Sequence, residues 1–244
     1  MAKIDRLTTL LNNFRLQASV AKVEDANLVA MHEPATGEEC LIFTPRAVGI
    51  DADDRNVLFS LHIDFGTNSS PLCAALPDKV IENVTPDGDL ASIVSLLASE
   101  QQANRCGCPA VLSRLGEVLV VRMLRLQLDR GVTTPGLLAG LANPRISQAI
   151  VAIHENPGHL WQNADLADTA GLSHSRFKEV FSKLVGVTPA SYLRRWRLTL
   201  ARADLEKGER VDRIAHRYGY RAPDAFSRAY LREFGVRPTK SASK

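Results

Sequence analysis

Two stretches carry side chains suited to meeting a large polar ligand. In His174–Leu184, Phe177, Val180, Phe181 and Leu184 recur at helical spacing and turn inward. That leaves Ser175, Arg176, Lys178, Glu179 and Ser182 facing out. In Asp224–Phe234 the inward set is Phe226, Tyr230, Leu231 and Phe234, and the outward set is Asp224, Ser227, Arg228 and Arg232. Cations, hydroxyls and carboxylates along one helix face are the groups that pair with base edges in a DNA groove and with phosphates beside it. A second set offers sulfur chemistry. All four cysteines, Cys40, Cys73, Cys106 and Cys108, precede residue 110. Cys106 and Cys108 stand before a helix whose N-terminal dipole favours a thiolate, with Arg105 adjacent, so both are candidate sensor thiols. The four together are candidate zinc or iron–sulfur ligands, although C-x-C is a poorer metal signal than C-x-x-C. The remaining reading is buried, inert cysteine. His32 and His62, on strands, read as structural or solvent-facing rather than as ligands.

The outward sets need elements that hold them. Ala164–Ala170 reads as a short helix, Gly171-Leu172-Ser173 as a tight turn, and Ser173 as the N-cap of the helix that follows. Small Ala167 and Ala170 let the two helices approach. The layout recurs with Val211–Tyr218, Gly219-Tyr220 and Asp224–Phe234. Gly171 and Gly219 are 48 residues apart, and Phe177 and Phe226 are 49 apart, so the same roles are filled twice. A short helix, a glycine turn and a second helix with polar outward groups make a helix-turn-helix. Between the two pairs, Pro189–Lys207 reads as one helix of roughly 28 Å, against about 34 Å for one turn of B-DNA. Such a spacer suits two successive major-groove segments and narrows the expected polyanion to double-stranded DNA. Arg194, Arg195, Arg197 and Arg202 ride on the spacer, some paired inside the fold and others facing phosphate. Trp161 and Trp196 read as core rather than as base-stacking residues.

The front of the chain reads differently. Ala18–Val23, Asn27–Met31, Cys40–Thr44 and Val57–Phe65 are short apolar runs separated by turn residues. In the last run Phe59, Leu61, Ile63 and Phe65 alternate with Ser60, His62 and Asp64, as on a half-buried strand. These runs predict a small β domain, a curled sheet or partial barrel. A helix follows, capped by Asp87 or Asp89 and ending near Asn104. Another runs from Ala110 to Arg130 and is stopped by Gly131. The second is apolar over more than half its circumference, so it needs cover on two sides. The β domain supplies one cover and a second copy of the chain the other, which predicts a homodimer. Pro144 opens the next helix, Arg145–Glu155, with Asn143 as its cap. The division expected is 1–132 for a regulatory and dimerisation domain, 133–143 for a linker, and 144–240 for the helical domain. The fold class is α+β.

Composition supports the split. The chain has 244 residues and a formal net charge of +3. Residues 1–142 carry 12 basic and 17 acidic side chains, net −5, and residues 143–244 carry 18 and 10, net +8. A basic half behind an acidic one points to a polyanion-binding segment joined to something else. No apolar stretch is long enough to span a bilayer, and Met1–Arg6 is not followed by a secretory signal pattern. Four cysteines are too few for a disulfide scaffold. The expected compartment is a reducing cytoplasm.

Residues 144–238 resemble the DNA-binding domain of the AraC/XylS family of bacterial transcription regulators. The resemblance rests on 166–173 (LADTAGLS), Phe177 through Gly186-Val187-Thr188-Pro189, 214–220 (IAHRYGY), 225–230 (AFSRAY) and 234–238 (FGVRP). It implies a seven-helix domain with two helix-turn-helix units, behind a regulatory domain that is often cupin-like and followed by dimerisation helices. The front half is similar to that arrangement, particularly in its Arg-Cys-Gly segment and Leu-rich helix, but it lacks the Gly-x-His-x-His metal motif. The family frame places base contacts at Ser175, Lys178 and Glu179 and at Asp224, Ser227 and Arg228. It places Arg176 near the backbone, and Ser182, Arg221 and Arg232 complete the DNA-binding set. Glu179 departs from the basic or amide residue common there. It either accepts from cytosine N4 or pairs with Arg176 or Lys183 and reads nothing. Pro223 stands where many relatives carry a polar residue, so the second unit would read fewer bases.

The function expected is a sequence-specific regulator that binds promoter DNA, acts with RNA polymerase, and responds to a small-molecule or redox signal in its front half. It would be cytoplasmic and nucleoid-associated when bound. No catalytic residue, resident cofactor or membrane partner is expected. The alternatives are a cupin-type metal-dependent enzyme with an accessory basic domain, and an architectural DNA-binding protein without sequence choice.

Overall fold

In the computed structural model the described residues are 5–8, 11, 16–33, 36–66, 73, 76–131 and 135–238. The chain divides into two compact units, Phe14–Arg130 and Gly131–Lys244, with Met1–Asn13 grouped with the latter.

The first unit is built on five strands: β1 (Gln17–Val20), β2 (Leu28–His32), β3 (Glu39–Phe43), β4 (Val57–Asp64) and β5 (Val80–Asn83). They form one antiparallel sheet in the order β1-β4-β2-β3-β5. Alternation decides the faces. Phe59, Leu61 and Ile63 of β4 are buried on one side, while His62 and Asp64 stay half-buried on the other. Central β2 is buried on both: Val29 and Met31 pack with Ala26, Cys40 and Ile50, and Leu28 and Ala30 point the opposite way. Strand β5 was not expected. It is only four residues long, and one of its inward residues is Glu82, 2% exposed. Glu82 is tolerated there because Gln127 and Arg130 donate to its carboxylate at 2.6–2.8 Å.

Two helices pack beside the sheet, α1 (Ala91–Ala103) and α2 (Cys108–Arg130). The expected cap of α1 is not made. Leu90 is the N-cap without a side-chain bond, and Asp89 instead lies 4.0 Å from Arg122. Helix α2 starts two residues before the expected Ala110, because Pro109 is compatible with a first helical turn. It crosses β1 and β4 at Gly116, where a Cβ would stand 2.7 Å from Ala18 Cβ and 2.8 Å from Leu61 Cδ1. Leu112, Leu119, Val120, Met123 and Leu124 are buried, whereas Val111 and Val118 on the far side are 40% and 47% exposed.

The second unit is helical: α3 (Leu137–Ala142), α4 (Ile146–Glu155), α5 (Asn163–Thr169), α6 (His174–Val185), α7 (Pro189–Glu206), α8 (Val211–Arg217) and α9 (Pro223–Phe234). Much of the stretch expected as a linker, 133–143, is therefore helix α3. Its Leu138 and Leu141 are fully buried, and Gly140 sits so close to α4 and α6 that a Cβ would meet Ile150 at 2.6 Å and Val185 at 2.8 Å. Helix α4 begins at Ile146 rather than Arg145, yet Asn143 caps it as expected, its Oδ1 accepting from the backbone N–H of Arg145 and Ile146 at 3.0 Å. The core is aromatic, with Trp196, Phe177, Phe181 and Phe226 buried. His154 stacks on Trp196 with centroids 3.6 Å apart, and its Nε2 lies 2.6 Å from the Tyr192 hydroxyl. Burial pushes the His154 pKa down to about 3 and raises that of Tyr192, so both groups are neutral in the core.

Candidate nucleic-acid interface

The two helix-turn-helix pairs are α5–α6 and α8–α9. Both turns use a left-handed glycine, Gly171 at φ 60° and Gly219 at φ 75°. Helix α5 is started by a reciprocal capping box, in which the Gln162 backbone N–H donates to Asp165 Oδ2 at 2.8 Å. The Ser173 hydroxyl caps α6 by accepting from the Arg176 N–H at 3.4 Å. Inward aromatics fix each second helix. Phe177 and Phe181 pack 5.5 Å apart in α6, and Phe226 and Tyr230 5.6 Å apart in α9.

Helix α7 holds both pairs. On one side Phe181 meets Tyr192 edge-on at 5.7 Å. On the other Arg195 Nε is 3.1 Å from Glu233, and the Arg202 guanidinium lies 5.2 Å over the Phe234 ring. The largely buried Asp204 accepts from Arg217 and from the Tyr218 hydroxyl, both at 2.7 Å, and Arg217 also donates to Glu209. The bonds to Glu209 and Asp204 raise the Arg217 pKa, while burial first and Asp204 second raise that of Tyr218. Of the spacer arginines, Arg194 is exposed and donates to Ser191, while Arg195, Arg197 and Arg202 are engaged within the fold.

The expected DNA-facing residues lie on the outer sides of α6 and α9 and the adjoining turn. Ser175, Arg176, Lys178, Glu179, Arg221, Asp224, Arg228 and Arg232 are exposed, and Ser182 and Ser227 are half-buried. Among the described residues, none pairs its carboxylate with Lys178, Arg221, Arg228 or Arg232, so these four cations are open to an incoming anion. Glu179 takes the pairing alternative: both its oxygens accept from Arg176 Nη1 at 2.9 Å. Leu231 corrects its expected inward position. It is 41% exposed, because it falls seven residues after Asp224 on the outward stripe, as Ser182 does after Ser175. Trp161 is also not core: it is half-buried, with its indole N–H bound to the Asn156 carbonyl at 2.9 Å, whereas Trp196 is buried as expected.

Arg197, not singled out by spacing among the four spacer arginines, donates to two backbone carbonyls of the α4–α5 loop. Its signal was its position four residues from both Leu193 and Ala201, on the flank of the buried face of α7.

The cysteines do not converge. Cys40 is buried on β3. Cys73 is buried with its thiol 3.4 Å from the Pro45 carbonyl, and Cys108 is buried with its thiol 3.3 Å from the Glu100 carbonyl. Burial raises the pKa of Cys40 and Cys73. Among the described residues no three Cys, His, Asp or Glu side chains form a group that could hold a metal ion. The two candidate sensor thiols differ in access, Cys106 being exposed and Cys108 closed. His62 binds the Asp25 carbonyl at 3.2 Å, and His32 is exposed. No helix among the described residues is long and apolar enough to cross a membrane.

A helix-turn-helix domain family matches residues 166–243, and a cupin family matches residues 15–129. An AraC-like transcription regulator of Streptomyces lividans is 36% identical over 182 residues, which is 71% of this chain and 59% of that protein. The HTH-type transcriptional regulator AlkR of Acinetobacter baylyi is 30% identical over 199 residues, 78% of this chain and 64% of its own length. The chain thus spans well under two thirds of the first relative and just under two thirds of AlkR. The DNA-binding domain of AdpA, solved in complex with a target DNA, aligns with 39% of this chain and 86% of its own at 28% identity, with a TM-score of 0.38.

Proposed function

Because this chain belongs to the AraC-type helix-turn-helix regulators with a cupin domain ahead of the DNA-binding half, we propose that it is a transcription regulator that reads double-stranded promoter DNA through α6 and α9. The observation that carries this reading is the repeated geometry. Two helices each present an outward polar stripe on one spacer, and Lys178, Arg221, Arg228 and Arg232 are left without acidic partners among the described residues. Phosphate contacts supply most of the affinity, and Ser175, Lys178, Asp224, Ser227 and Arg228 supply the choice of bases. With Glu179 holding Arg176, the first helix reads through Ser175 and Lys178.

The first unit receives the signal and pairs two chains. Exposed Val111 and Val118 on the outer side of α2 form the pairing stripe. The chain acts in the cytoplasm on nucleoid DNA, contacts RNA polymerase there, and performs no catalysis. Selection of duplexes from a random pool by the full chain tests the reading. A recovered motif bound at least about a thousandfold more tightly than random duplex supports it. Equal affinity for both assigns the chain to architectural binding. Val118→Glu should shift the sedimenting species to a monomer, and an unchanged dimer would move the pairing surface elsewhere.

A further inference from the structure

Three segments distant in sequence meet at one point of the second unit. Arg197, midway along α7, donates from Nε to the Pro157 carbonyl at 2.6 Å and from Nη2 to the His159 carbonyl at 2.7 Å. Pro157–His159 lies in the loop that leads from α4 into the first helix-turn-helix. Against the same guanidinium lies Gly219, the turn glycine of the second. A Cβ on Gly219 would stand 3.1 Å from Arg197 Nη2 and 2.8 Å from the Gly158 carbonyl oxygen. Gly158 has no room either, since a Cβ there would fall on the carbonyl oxygen of Arg217, the last residue of α8. Backbone therefore touches backbone across the seam, and one planar cation spans it.

The ties of α7 described above each reach one pair: Tyr192 to α6, Arg195 and Arg202 to α9, Asp204 to α8. A helix joined at both ends by turns sets distance but leaves relative rotation to non-covalent contacts. We propose that Arg197, closing on Gly158 and Gly219, is the clamp that fixes the mutual orientation of the two recognition helices. It thereby fixes the spacing between the two DNA segments that one chain accepts. This rests on the reading of α6 and α9 as DNA-reading helices. Arg197 is a positioning residue, since its Nε and Nη2 donate to protein backbone. A guanidinium makes the two bonds as a planar fork, which an ammonium cannot reproduce.

Two measurements on the full chain test it. The first uses the duplex that the parent chain selects, with one or two base pairs inserted between its two contacted segments. The parent should lose at least about tenfold in affinity per insertion. Arg197→Met should bind the uninterrupted duplex about tenfold more weakly and lose less than about threefold more on insertion. Arg197→Lys keeps the charge, guards against a misfolded Met variant, and should show the same flattened profile. The second needs no DNA. Spin labels at Lys183→Cys and Leu231→Cys, with Cys106→Ser and dilution into unlabelled chain, report the distance between the recognition helices by electron–electron resonance. A single narrow distribution should broaden in both Arg197 variants. Unaltered insertion profiles or an unaltered distribution in a folded variant would overturn the clamp. Failure of the parent to select any duplex sinks the DNA-reading proposal instead, and the distance measurement still decides the clamp.

Discussion

Glu179 holds Arg176 on the outer face of α6, both carboxylate oxygens lying 2.9 Å from the same guanidinium nitrogen. Both side chains are mostly solvent-exposed, so the pair contributes little to stability. Its effect is to withdraw one cation from the face that meets DNA. Glu179→Gln should free Arg176 for phosphate. Affinity for random duplex should rise, and the slope of log affinity against log salt should steepen by about one contact, ~0.9. An unchanged slope would show that Arg176 is remote from the backbone.

Arg228 stands exposed on α9 without an acidic partner among the described residues. Arg228→Ala should cost about 1–3 kcal/mol on the selected duplex and relax base preference at one position. Binding titrations on selected and random duplex separate the two roles. Equal losses on both would assign Arg228 to phosphate.

His154 is neutral in the core, with its pKa pushed down to about 3 by burial against an ordinary value of 6.5. Below pH 6.5 the unfolded chain takes up a proton that the folded chain refuses. Its contribution is therefore complete above pH 6.5 and is lost progressively as pH falls toward 3, at about 1.4 kcal/mol per pH unit at most. Urea melts between pH 7.5 and 5 should show the second unit weakening. In His154→Phe, less stable at neutral pH because Tyr192 loses its partner, that pH dependence should be much flatter. The same steep loss in the variant would place the acid sensitivity elsewhere.

Cys106 is exposed, and Cys40, Cys73 and Cys108 are buried. A thiol-reactive dye on the native chain should therefore label one position rapidly and the other three only on unfolding. Cys106→Ser should abolish the fast reaction. If an oxidant alters DNA binding, the effect should vanish in the same variant. Rapid labelling at two or more sites would contradict the burial pattern.

Leu138 and Leu141 of α3 are fully buried in the second unit. A fragment beginning at Asn143 lacks them, and each lost leucine costs about 2–5 kcal/mol. Fragment 131–244 should melt cooperatively and retain weak DNA binding, while 143–244 should be far less stable. Equal urea midpoints would show that α3 is dispensable.

Local periodicity settled much of this protein in advance. Phe177 and Phe181, then Phe226 and Tyr230, mark buried faces by spacing alone, and Gly171, Ser173 and Gly219 mark the turns, because such preferences act within a few residues. The opposed charge of the two halves is likewise a property of composition. What the chain's linear order left open was decided by contacts between distant residues. Helix α3 looked like a linker because Pro135, Gly136 and Gly140 lower the helix propensity of its stretch, yet burial against α4 and α6 overrides that. Strand β5 hid because its inward Glu82 is acceptable only once Arg130, 48 residues on, is folded beside it. Four arginines on α7 are equivalent by type. Only the carbonyls of Pro157 and His159, packed opposite by the tertiary fold, turn Arg197 into a clamp and leave Arg194 at the surface.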